Sequence, residues 1–415
     1  ADTITYNVAI SSCEKGGAWT LALELLSEMA DTRVKAQTTT FNAVVSACEK
    51  GGEWLQALQL LRGMGDSMVE RNTVTFNAAI SACEKGEQWW QSLQLLREMS
   101  DCRVERNTVT FNAAVSACGK GKLWWQALQL LCEMSDSRIE RTTRTFNAAV
   151  STCAKSGEWG KAVQLVLEMA DSRVERDIIS YSAAISACDQ GGQWWQALQL
   201  LHDMAGSRVE MDTIALSAVV SACAKGGQWL QSLQLLCDMA CTRVEVETIT
   251  YSSAVSACEK CGEWGQALQL LHDMADSRVE QDTIVCNAAI SACEKRGQWW
   301  QALKLFCDMA DSRVEWNTIT LNAAVSACEK GGEWCQALRL LREMADGCVE
   351  VDAITYSAVI SACQQGGEWW QAWQLMLEMS HSRVERDSIT FSAVFSSCEK
   401  GGQWRQALQL LCEMA

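Results

Sequence analysis

A period of 35 residues runs through this chain and narrows what it can fold into more than any other feature. With Thr3 as position 1, an aromatic recurs at position 4 as Tyr6, Phe41, Phe76, Phe111, Phe146, Tyr181, Tyr251, Tyr356 and Phe391, and Leu216, Cys286 and Leu321 fill the other three places. The repeats are 3–37, 38–72, 73–107, 108–142, 143–177, 178–212, 213–247, 248–282, 283–317, 318–352, 353–387 and 388–415, the last incomplete, in a single array over 1–415. Such regularity marks a solenoid, in which each short unit completes its core on its neighbours.

In repeat 1, Tyr6, Ala9, Ile10 and Cys13 follow the i, i+3, i+4, i+7 spacing of a helix that buries one face, here helix A. Gly16 and Gly17 end it; Trp19, Ala22, Leu23, Leu26, Met29 and Ala30 continue the spacing on helix B, with Glu24 and Glu28 on its solvent side. Two helices of about three turns are too short to be stable alone and must stack on neighbouring repeats. The fold class is therefore all-α, an α-solenoid of tandem helix-turn-helix repeats, and the absence of proline in 415 residues agrees with near-complete helicity. The tryptophan that opens every helix B, from Trp19 to Trp404, belongs in the seam between helices, whereas the second one added in five repeats, as in Trp89-Trp90, is off that phase and partly exposed. The methionines from Met29 to Met414 read as core filler. Twelve of the 22 cysteines recur every 35 residues from Cys13 to Cys398 and read as small buried hydrophobes, without disulfides and in a reducing compartment.

The residues of catalysis are missing. His202, His272 and His381 suggest no triad, and Cys258 and Cys261 lack a second pair at zinc-ribbon spacing, so no enzyme activity, no metal and no cofactor is expected. No apolar run of about eighteen residues and no basic-then-apolar leader occurs, so neither a membrane span nor a signal peptide is read. Ordinary repeat sequence reaches both Ala1 and Ala415, so the chain is expected to be part of a longer one. A formal net charge of −16 argues against indiscriminate phosphate binding and makes the placement of the basic residues decisive.

The 35-residue period, the Thr-Tyr-Asn opening, the Lys before a Gly turn, the Ala-Leu of helix B and the Glu-Met near its end together resemble the pentatricopeptide repeat family, over essentially the whole chain. The sequence departs from that family where residues such as Ala36, Arg71 and Trp316 replace a proline near the repeat end, and where Trp stands in place of a common leucine. The resemblance implies a right-handed superhelix that binds single-stranded RNA, one nucleotide per repeat, read by the fifth and last residues. The fifth residue is Asn7, Asn42, Asn77, Asn112, Asn147, Ser182, Ser217, Ser252, Asn287, Asn322, Ser357 and Ser392. The last is Gln37, Asn72, Asn107, Thr142, Asp177, Asp212, Glu247, Asp282, Asn317, Asp352 and Asp387. Asn and Ser both donate and accept hydrogen bonds; a solvated polar face is the competing account of the fifth residue, and helix N-capping that of the last.

By the same resemblance, Asn with Asp reads uracil, Ser with Asp guanine, and Asn with Asn a pyrimidine favouring cytosine, giving N-C-C-Y-U-G-N-G-C-U-G-N from 5′ to 3′. The aliphatic second residue would wedge between bases: Ile4, Val74, Val109, Ile179, Ile214, Ile249, Ile284, Ile319, Ile354 and Ile389, with Thr39 and Arg144 breaking the series. Core packing competes as its role. Lys15, Lys50, Lys85, Lys120, Lys155, Lys225, Lys260, Lys295, Lys330 and Lys400 at position 13 would meet phosphate, with the acids mostly on helix B and its exit; solubilising surface charge is the alternative. The implied setting is organelle RNA metabolism in a mitochondrion or plastid. A structural or protein-binding subunit of a large organellar assembly, such as a ribosome, is the other reading, since net acidity and exposed tryptophans suit protein partners.

Overall fold

The computed structural model describes residues 2–241, 246–311, 314, 316–346, 351–381, 384, 388–403 and 405–407. Among the described residues there are twenty-three short α-helices and no strand. Every repeat supplies a helix A, from Thr3–Gly16 to Ser388–Lys400, and repeats 1 to 11 a helix B, from Trp19–Asp31 to Trp369–His381. None of these helices is long and apolar enough to cross a membrane. The chain divides into two compact bodies, residues 1–215 and 216–415, and the same hairpin recurs in each.

The core forms between repeats as the periodicity requires. In the first body Tyr6, Ile10, Ala22 and Met29 of repeat 1 are buried against Ala43, Val44 and Ala47 of repeat 2. Met64, Met99, Met134 and Met169 are fully buried, as are Cys48, Cys83, Cys118 and Cys153, while Cys13 in the first hairpin is only half-buried. The described cysteines are free thiols. Trp54 lies against the end of the next helix A, where a Cβ on Gly86 would come 2.3 Å from Trp54 Cδ1. Glycine there lets the indole of one repeat close onto the backbone of the next.

The connector between repeats shows what replaces proline. Arg71, Arg106, Arg141 and Arg176 each stack over the aromatic that follows, at 5.3–5.6 Å from the rings of Phe76, Phe111, Phe146 and Tyr181. Three of them also pair with a carboxylate on the helix B beyond: Arg71 with Glu98 at 2.5 Å, Arg106 with Glu133 at 3.5 Å and Arg141 with Glu168 at 2.5 Å. A guanidinium holding both a ring and a carboxylate fixes the connector by contacts instead of by a locked φ.

Helix A ends on a residue in the left-handed region, normally glycine, as at Gly17 with φ 68°. Its successor's N–H reaches back to Cys13 C=O at 3.0 Å, which closes the last turn. Lys122 holds the same conformation at φ 54° without being glycine, at a cost of about 1 kcal/mol. Lys122→Gly is therefore expected to raise stability by about 1 kcal/mol in thermal melts; an unchanged or lower midpoint would show that the lysine is not strained.

Candidate nucleic-acid interface

Helix A and its N-cap carry all four sets of candidate residues. Positions 2, 5, 9 and 13 fall within a stripe about 80° wide on a helix of about 3.6 residues per turn. In repeat 1, Ile4, Asn7, Ser11 and Lys15 line one open groove of about 320 Å³ with Val8 and Ser12.

The second-position aliphatics are exposed. Ile4, Val74, Val109, Ile179, Ile214, Ile249, Ile284, Ile319, Ile354 and Ile389 keep 54–72% of their surface, in contrast to Phe76 and Phe111 two positions beyond Val74 and Val109, which are fully buried. Core packing thus does not account for them. Within each body these isolated aliphatics, at one position of the repeat, form a row of apolar steps facing solvent.

The fifth residues are engaged from two sides. Five asparagines donate Nδ2–H to the last residue of their own repeat: Asn42 to Asn72 at 3.3 Å, Asn77 to Asn107 at 3.2 Å, Asn147 to both oxygens of Asp177 at 2.9 Å, Asn287 to Asn317 at 3.5 Å and Asn322 to Asp352 at 3.2 Å. From the other side, the Thr at position 3 of the next repeat donates its hydroxyl to the amide oxygen: Thr40 to Asn7 at 2.6 Å, Thr75 to Asn42 and Thr110 to Asn77 at 2.5 Å, Thr145 to Asn112 at 2.6 Å, Thr320 to Asn287 at 2.6 Å, and Thr355 to Asn322. Among the serines, Ser182 donates to Asp212 at 3.2 Å, whereas Ser252, Ser357 and Ser392 donate back to the carbonyls of Ile249, Ile354 and Ile389 at 2.8–2.9 Å. Ser217 is not without a partner. The threonine column escaped the sequence reading because each threonine's partner lies on the preceding repeat.

The last residues stand at the N-caps of the following A helices, so capping and exposure to the groove coincide. Asn72, Asn107, Asp177, Asp212, Asp282, Asn317 and Asp352 accept from the backbone N–H three positions on, as Asn72 does from Thr75 at 3.1 Å. Thr142 contacts Thr145 Oγ at 3.1 Å, the Gln37 N–H donates to Thr40 Oγ at 3.2 Å, and Glu247 forms no side-chain cap. Asp387 lies outside the described residues. Burial opposes ionisation of Asp352, but hydrogen bonds from the Thr355 hydroxyl and N–H and from Asn322 outweigh it and hold the carboxyl below its ordinary range.

The lysines cross to the preceding repeat. Lys50, Lys295, Lys260 and Lys400 donate to the backbone carbonyls of Glu14, Glu259, Ala224 and Gln364 at 2.9–3.2 Å, at the negative end of the previous helix A. Lys85, Lys120 and Lys330 pair with Glu49, Glu87 and Glu294 at 2.8–3.2 Å. For Lys50, Lys85, Lys120, Lys295 and Lys330 the glutamate that offsets the charge is thus supplied by the preceding repeat, not by the sequence neighbour. The paired ammonium side chains remain 39–47% exposed, so each keeps N–H groups facing solvent. Lys15 and Lys155 are exposed, and Lys225 is not without a partner.

In each body the described hairpins carry a polar, lysine-edged stripe along their A helices, the build of a tandem helical repeat protein. Models of the pentacotripeptide-repeat region of PRORP match residues 64–254, of the pentatricopeptide repeat domain residues 24–86 and 339–400, and of the single PPR repeat residues 4–32, 249–279, 284–314 and 389–415. The chain belongs to the pentatricopeptide repeat family. Among solved structures, the pentatricopeptide repeat protein PPR10 from maize is 20% identical, with all of this chain aligned to 63% of that one at a TM-score of 0.49. The structure of PPR10 with an 18-nt psaJ RNA element is 17% identical over all of this chain and 74% of that one, at 0.38. The PPR domain of Arabidopsis thaliana protein-only RNase P 1 in complex with tRNA is 15% identical over 41% of this chain and 90% of that one, also at 0.38. No curated protein matches the sequence significantly.

Proposed function

We propose that this protein binds single-stranded RNA with one nucleotide facing each repeat, in organelle RNA metabolism. The observation that carries the reading is the row of exposed second-position aliphatics, in register with the fifth and last residues. Splayed bases of a single strand stack on such steps and offer their Watson–Crick edges to the polar pairs.

The hydrogen-bond inventory of each pair fits a different edge. With its oxygen held by Thr355 and one N–H on Asp352, Asn322 keeps a second N–H beside a carboxylate, a donor next to an acceptor, as uracil's carbonyl and N3–H require. Ser182 donates to Asp212 and leaves two kinds of oxygen as acceptors, which suits the N1–H and amino group of guanine. Asn72 uses its oxygen on Asn42 and on the Thr75 N–H, which leaves its amide N–H groups as the donors that the acceptors of cytosine require.

Acidity is compatible with this because exposed acids such as Asp101 and Asp136 end the B helices, while the lysines edge the A helices. Binding should weaken with salt by a slope of about 0.7 per phosphate contact. The test is selection from a random RNA pool at fixed salt, followed by Ser182→Asn. The sixth nucleotide is expected to move from G toward U; an enriched pool without that shift removes Ser182 from base reading.

A second reading, a protein-binding scaffold in an organellar assembly, is favoured by Trp90, Trp125, Trp195, Trp300 and Trp370, which stand 55–62% exposed on the B helices. Under it the protein recovers no enriched RNA, and Trp125→Ala weakens assembly.

A further inference from the structure

We infer that the third residue of each repeat is a positioning residue for the base-reading asparagine of the repeat before it, so that recognition depends on three residues, not two. The inference rests on the RNA reading above and specifies how that site is set.

An asparagine amide can face a base in either of two orientations, which exchange a donor for an acceptor. The threonine fixes one of them. Thr75 Oγ accepts the backbone N–H of Asn72 at 3.4 Å and its one proton faces Asn42 Oδ1 at 2.5 Å and Asn72 Oδ1 at 3.0 Å; the shorter contact takes it, and the Asn42 amide then turns Nδ2 toward Asn72. For Asn112 the bond from Thr145, at 2.6 Å, is made to a repeat whose last residue, Thr142, turns to Thr145 instead. The threonines concerned are fully buried, so the hydroxyl has no water to exchange with.

The sequence pairs the two positions accordingly. Six of the seven asparagines are followed by Thr at the third position of the next repeat and the seventh, Asn147, by Ser180, whereas the serines Ser182, Ser217, Ser252 and Ser357 are followed there by Ala215, Thr250, Val285 and Thr390. Where the match breaks, the geometry breaks with it. The Ser180 hydroxyl, without the second γ substituent that stiffens Thr, folds back to the Asp177 carbonyl at 2.8 Å and leaves Asn147 Oδ1 buried with no hydrogen-bond partner. Thr250, which follows a serine, has a buried hydroxyl that likewise lacks a partner. Val285 shows that the hydroxyl is not needed for the helix start, since its N–H still donates to the Asp282 cap at 2.9 Å.

The experiment measures binding of the whole chain to four RNAs that differ only at the nucleotide facing repeat 4 and four that differ only at repeat 5, with thermal melts alongside. Thr145→Val is expected to lower pyrimidine-over-purine discrimination at the fourth nucleotide about fivefold while preferences elsewhere stay. Ser180→Thr, which should fold at least as well as the parent, is expected to sharpen the uracil preference at the fifth nucleotide about threefold to fivefold. Ala215→Thr added to Ser182→Asn should likewise sharpen the switch at the sixth. Equal loss of affinity for all four RNAs, or unchanged ratios in both single variants, overturns the positioning role while leaving RNA binding intact. Failure of the parent to prefer any RNA would sink both readings.

Discussion

Raising the pH above about 9 is expected to destabilise this protein progressively, through its buried thiols. Burial pushes eleven of them up to about 11 or 12 from an ordinary value near 9: Cys48, Cys83, Cys118, Cys153, Cys188, Cys223, Cys258, Cys286, Cys293, Cys328 and Cys363. Because the folded-state values are raised, the contribution is fully present below about 9 and declines as pH climbs from there toward the folded values. The unfolded chain releases these protons first. At about pH 10 each thiol disfavours the fold by about 1 kcal/mol, and because one such thiol sits in nearly every hairpin the loss falls on the whole array. Circular dichroism against pH checks this, and replacing Cys83, Cys118 and Cys153 by Ala should move the alkaline midpoint upward. Persistence of the helical signal to about pH 12 would mean that the thiols do not control the transition.

Replacing Val74, Val109, Ile284 and Ile319 together by Ala is expected to weaken RNA binding about a thousandfold, at about 1 kcal/mol for each lost step. Folding should move the other way. All four side chains are exposed, and Ala is the better helix former, so the melting midpoint should stay or rise slightly. Opposite responses of binding and stability distinguish a contact with ligand from a contact within the fold. Unchanged affinity would show that the exposed row touches no base.

Periodicity alone carried much of this structure. The aromatic at Tyr6, the stripe to Cys13 and the Gly16-Gly17 stop locate helix A, and the cysteine and methionine columns are buried as that stripe requires. Local signals also located the caps, since Asn72 and Asp177 before a helix are good N-terminal partners. What stayed hidden are bonds that join repeats. Thr40 donates to Asn7, Trp54 packs on Gly86, and Lys50 donates to Glu14, each pair split between one repeat and the next. None of these pairs falls within a helix turn, and each follows only from how one hairpin lies on its neighbour. The arginine clamp at Arg71 was visible as a missing proline but not as a contact, because it needs a ring and a carboxylate from two different helices.

The residue that closes one repeat starts the helix of the next, and under the proposed RNA reading this ties base choice to architecture. A change from Asp177 to a bulky or apolar residue would alter the chemistry offered to a ligand and at once loosen the first turn of Ile178–Gln190. New binding preferences are then open mainly through small oxygen-bearing side chains such as Asp, Asn, Ser and Thr. A lineage of such proteins would diversify its targets by shuffling and duplicating whole hairpins more readily than by free substitution at that site.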